Sequence, residues 1–190
     1  MKLNLLTFLL IIILGIPASK AQDIPPPNPE LAINIVTGQS ILFRFDEMSE
    51  YINGIMNAGH STFIRILSIE DWQLQFKADQ IEFYGTSNPA NTIPLNNVGV
   101  IVVSTGTNPD DGSSIVNLAQ TLPLALESVD VTLLTKGTGS NIGGGLRNAF
   151  TLNWEMGTLR GNMNPNTMLD QHLGADIYNL DIILTVSWVP

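Results

Sequence analysis

The chain has 190 residues, seventeen acidic against eight basic, no cysteine and a formal net charge of −9. So few Lys and Arg cannot supply the clustered cations that phosphate backbones require, which excludes nucleic acid as a partner. The absence of Cys excludes thiol catalysis, disulfides and Cys-ligated metals.

Residues 1–21 read as a secretory signal. Lys2 supplies the positive start. Leu5 to Ile16 is an apolar run broken only by Thr7 and Gly15. Ser19-Lys20-Ala21 then puts small residues where signal peptidase needs them, so cleavage is expected between Ala21 and Gln22. The run is shorter than the roughly 20 apolar residues that span a bilayer, and no transmembrane segment is expected in the mature chain. Lys2 and Lys20 leave with the signal, so six basic residues then face seventeen acidic, a net charge of −11. Residues 22–30 form a proline-rich spacer, extended and semi-rigid. No internal repeat or second linker follows, which predicts a single domain over residues 31–190.

That domain alternates apolar and polar residues with period two, the mark of half-buried strands. Leu31 to Val36 and Ile41 to Phe45 are the first two candidates. Ser49 to Met56 is the one helical candidate, with Ser49 placed to cap it. Ile64 and Ile66 alternate with Phe63, Arg65, Leu67 and Ile69, apolar on both faces as in a central strand. Trp72, Leu74 and Phe76 alternate with Gln73, Gln75 and Lys77, which leaves one wet face. Ile81 and Phe83, Val98 to Val103 and Val129 to Leu133 come next. Phe150, Leu152, Trp154 and Met156 precede a last run from Leu180 to Trp188. Gly, Asn, Asp and Pro fill the stretches between, as tight turns require. The pattern predicts an all-β fold, an immunoglobulin-like antiparallel β-sandwich of about seven to nine strands, with a barrel second.

Candidate chemistry is sparse. His60 and His172 lack metal spacing and read as loop histidines facing water. No Gly-x-Ser-x-Gly elbow occurs, so no catalytic residues are expected and no enzyme. Asp110 and Asp111 in Asn108-Pro-Asp-Asp-Gly-Ser113 are the only calcium candidates, and a solvated turn suits those residues better. Gly137 to Gly145 is rich in glycine, but Lys136 precedes rather than follows it, so a flexible connection is expected rather than a phosphate loop. No cofactor is implied. Trp72, Trp154 and Trp188 lie on the apolar phase of their strands and read as core; Tyr84 is the aromatic expected to be exposed.

Phe150-Thr-Leu-Asn-Trp-Glu-Met-Gly-Thr158, then Leu173-Gly-Ala-Asp-Ile-Tyr178 leading to Val186-Ser-Trp-Val-Pro190, resembles the closing segment of bacterial fimbrial subunits and related surface domains. Asp71-Trp72-Gln-Leu74 and Ser187-Trp188-Val189 are similar, more loosely, to the paired Trp-x-Leu motifs of WxL cell-surface domains, although the second site has Val189 and Pro190 where Leu is expected. The signal ending in Ala-Gln and the Cys-free body are similar to exported proteins of Bacteroidetes-type bacteria. The resemblance covers the C-terminal third and implies a noncatalytic subunit of the periplasm, outer-membrane surface or exterior. Its expected partners are itself or other envelope proteins. Strand addition is the expected mode of assembly, with Leu31, Ile33, Ile35, Ile41, Phe43 and Phe45 as the donor side chains. Tyr178 is expected to bury its ring while its hydroxyl reaches a backbone acceptor. The alternative is a self-complete carbohydrate- or ligand-binding sandwich.

Overall fold

The computed structural model describes residues 31–104, 116–117, 121–137, 139–144 and 147–189. The expected signal with its cleavage between Ala21 and Gln22, the expected spacer, and the calcium candidates Asp110 and Asp111 lie outside the described residues.

The chain opens with β1 (Leu31–Thr37), the short helix α1 (Met48–Asn53), β2 (Ile55–Ser68) and β3 (Trp72–Ala78). Next come β4 (Glu82–Gly85), β5 (Thr92–Pro94), β6 (Val98–Ser104), β7 (Val116–Asn117) and β8 (Leu124–Ala125). Then follow β9 (Val131–Lys136), β10 (Ala149–Met156), β11 (Tyr178–Asn179) and β12 (Ile182–Trp188). The fold is all-β, and every strand pair is antiparallel. A five-stranded sheet runs β1-β2-β10-β6-β8, a four-stranded sheet β12-β3-β9-β7, and a small third sheet β11-β4-β5. The described residues hold twelve strands rather than seven to nine; the excess is β5, β7, β8 and β11, each of two or three residues and too short to show an alternation.

The two larger sheets face each other. Trp72 of β3 meets Phe150 of β10 edge-on, with ring centroids 5.7 Å apart. Phe76 of β3 meets Trp154 of β10 at 6.3 Å. Between them lie Ile64 and Ile66 from β2, Leu74, Val100, Leu134 and Leu152, all buried. Apolar side chains of this kind contribute about 1.5–3 kcal/mol each on full burial. The inward phases are those of the alternation: Ile64, Ile66, Trp72, Leu74, Phe76, Phe150 and Leu152 are fully buried. β2 lies between β1 and β10; its Ile64 and Ile66 face is buried, while Leu67 on the opposite face is exposed.

Three local expectations need correction. The helix spans Met48–Asn53 rather than Ser49 to Met56, because the Glu50 carboxylate accepts the N–H groups of Asp46 and Glu47 and so fixes its start. Gly54 ends it at φ 73°, where a Cβ would stand 2.3 Å from the Gly157 carbonyl carbon. Ile41 to Phe45 alternates but does not pair as a strand; Ile41, Phe43 and Phe45 instead pack against the core. The Gly137 to Gly145 stretch is pinned rather than flexible over its described residues. The Asn141 side chain accepts the Trp72 N–H and donates to the Trp72 carbonyl, standing in for a neighbouring strand.

Candidate functional site

Among the described residues the edges of the two larger sheets are β1, β8, β12 and β7, and those of the small sheet are β11 and β5, of two and three residues. An edge strand carries one row of unpaired backbone groups, the standard template for a further chain. β7 and β8 have two residues each, too short to template much. β1 and β12 have seven each and lie on the same flank, with residues approaching within 8 Å.

β1 contains the first half of the expected donor segment. Leu31, Ile33 and Ile35 lie opposite Ser68, Ile66 and Ile64 of β2 and turn toward the core. The segment thus pairs within its own domain in this structure. Register shifts between Ile35 and Thr37, and the chain leaves the sheet at Gly38. There φ is 71° and a Cβ would overlap the Ser61 carbonyl oxygen, so only glycine fits. The Gly38 carbonyl accepts the Thr62 hydroxyl, which itself accepts the Trp154 indole N–H. That relay ties the exit of β1 to the centre of the sheet. Residues 38–54 then form the long return to β2.

The second half of the segment runs over the start of β2. Phe43 stacks on His60 at 4.5 Å, and the His60 Nε2 donates to the Leu42 carbonyl. His60 is therefore a half-buried strand residue, not a loop residue in water. Its strand was missed because the β2–β10 ladder loses register between Asn153 and Glu155, which breaks the alternation of residues 55–60. His172 is exposed in a turn, as expected.

Of the expected structural aromatics, Trp72 and Trp154 are buried. Trp188 faces inward opposite Trp72 but remains 48 % exposed, on a strand whose outer edge pairs with no other strand among the described residues. Tyr84 is half-buried rather than exposed, since its strand β4 lies between β5 and β11. Tyr178 is half-buried, and its hydroxyl donates to the Gly174 carbonyl. It opens β11. Burial, and then the charge of Asp176, push its hydroxyl above the usual phenol range.

Sequence reading passed over three polar groups that hold the loops. Asp71 accepts from Lys136 at 2.8 Å, from the Ser140 hydroxyl and from the Asn141 N–H. The Lys136 bond, foremost, holds its carboxyl below the ordinary range against the opposing effect of burial. Glu155, buried, pairs with Arg160 at 2.9 Å. Asp176 accepts the N–H groups of Ser87, Asn88 and Ile177 and the Asn91 amide. The Ser87 N–H, then those of Ile177 and Asn88, hold its carboxyl far below the usual 3.8 even though partial burial opposes them. A lowered carboxyl contributes stability that is present above pH 3.8 and is lost as pH falls below it. Melting temperatures measured near pH 7 and about pH 3 are expected to fall further for the wild type than for Asp176→Asn, which has no proton to take up. Equal falls would contradict the clasp.

No helix among the described residues is long and apolar enough to cross a membrane. Among them, no group of three His, Asp or Glu stands close enough to hold a metal ion. No protein-family model matches the chain, and no curated protein matches it. Along the long edges the described surface offers backbone hydrogen bonding, with apolar side chains beside it.

Proposed function

We propose that this chain is a noncatalytic, exported, fimbria-like structural or adhesive subunit of the cell surface that assembles with copies of itself by exchanging β1. The observation that carries this reading is the position of β1. It is the first described strand, it holds a sheet edge through β2 alone, and residues 38–54 separate it from β2. A strand held by one neighbour and tethered by a long return can leave its site and be replaced by the same strand of another copy. Backbone bonds to β2 supply affinity, and Ile33 and Ile35, opposite Ile66 and Ile64, supply register. The acidic chain keeps unassembled copies apart.

A pair of introduced cysteines tests the exchange, because the chain has none of its own. Asn34 and Arg65 are exposed and directly opposite across β1 and β2. Cα atoms in such pairs stand about 4.5–5.5 Å apart, within disulfide range. Assembled Asn34→Cys/Arg65→Cys protein, once oxidised, is expected to run as a covalent ladder on a denaturing gel. Assembled protein that yields only cross-linked monomer sinks the exchange.

A further inference from the structure

The other long edge, β12, has a different character. The Asp79 N–H donates to the Asp181 carbonyl, and the Val189 N–H donates to the Asp71 carbonyl. Between those bonds the register with β3 is unbroken, from Ile182 opposite Ala78 to Trp188 opposite Trp72. Bonded and non-bonded pairs alternate in an antiparallel ladder. Ile183, Thr185 and Ser187 therefore turn their backbone groups toward β3, while Ile182, Leu184, Val186 and Trp188 turn theirs to the free side. The opposite strand agrees: Trp72 and Ala78 send their N–H groups away from β12, to the Asn141 side chain and the Glu127 carbonyl.

Proteins blunt exposed edges with short strands, bulges, proline or charge. Among the edges of the described residues, β7 and β8 are short and β1 is irregular after Ile35. β12 has seven residues, no shift of register, no proline and no ionisable side chain. Trp188 and Ile183 on it are 48 % and 41 % exposed. On a chain with net charge −9, this neutral edge is where two copies can meet without setting acid against acid.

We propose that β12 pairs antiparallel with β12 of a second copy about a two-fold axis through Thr185, joining two four-stranded sheets into one. The free edge is complementary to itself in that register. Ile182 comes opposite Trp188 of the other copy, and Leu184 opposite Val186, so each outward N–H meets an outward carbonyl. Trp188 gains the cover that its own sheet does not give it. Asp181 comes opposite Val189, beside Asp71, whose charge Lys136 already holds. Thr185, exposed on the outer face, meets itself.

The interface is separate from the exchange of β1: dimers that form through β12 without polymerising sink the exchange alone. Sedimentation equilibrium of the chain from Gln22 onward is expected to show a dimer. Thr185→Lys and Thr185→Glu each bring two like charges together across the axis and are expected to weaken association about tenfold or more. An equimolar mixture of the two is expected to restore the dimer. Val186→Pro removes an N–H that faces the free side and spares the bonds to β3, so it too is expected to give a folded monomer, checked by circular dichroism. A monomeric wild type overturns the proposal, as do Thr185 variants that dimerise undiminished or a mixture that fails to recover.

Discussion

Trp72→Ala is expected to destabilise the fold by about 3–5 kcal/mol, the usual cost of removing a buried tryptophan. Total stabilities run at about 5–15 kcal/mol, so this one change removes much of the margin. Trp72 is fully buried and touches Phe150 across the sandwich, so its loss opens a cavity between the two sheets. The indole N–H also donates to the Asn141 carbonyl at 2.8 Å, tying the 139–144 loop to β3. Trp72→Phe keeps most of the volume and loses that bond, so about 1–2 kcal/mol is expected. Urea unfolding followed by far-ultraviolet circular dichroism separates the cases by midpoint, with the m-value unchanged. A loss below about 1 kcal/mol for Trp72→Ala would mean that the sheets do not meet there.

The sequence made the long strands legible because one face of each is buried. β3 alternates without interruption; β10 and β12 keep the phase over most of their length and depart from it at Glu155, which is buried, and at Trp188, which is not. β4, β5 and β11 form a sheet of short strands that periodicity cannot detect, since two or three residues have no period. The Ile41 to Phe45 stretch misleads for a physical reason. Alternation reports that one side is buried, not that the backbone pairs, and Phe43 gains its burial by stacking on His60.

The polar supports were not legible. Asn141 serves Trp72 from a distance of 69 residues, and Asp176 serves Ser87 from 89. No local pattern marks either, because each replaces a backbone partner that only the fold brings near. The half-exposure of Trp188 was hidden in the same way. Its phase says inward, whereas its exposure depends on which strand comes next in the sheet, and none among the described residues does.

The largest effect is expected from removing β1 and the segment after it. A chain beginning at Asp46 loses Leu31, Ile33, Ile35, Ile41, Phe43 and Phe45 from the wall of the core. Partly buried as they are, these are worth about 1–2 kcal/mol each, together comparable with the whole stability of a domain. The deletion also strips β2 of its partner and opens Ile64 and Ile66 to water. On its own, this truncated chain is expected to aggregate or to lose cooperative unfolding. A synthetic peptide of residues 31–45, added during refolding, is expected to bind the vacated edge and restore a cooperative thermal transition, because the strand and not its covalent tether carries the recognition. The melting curve of the truncated chain with and without that peptide is the direct measurement. Rescue by the peptide is the predicted result; a truncated chain that is stable and monomeric alone, or that the peptide leaves unfolded, contradicts assembly by exchange of β1.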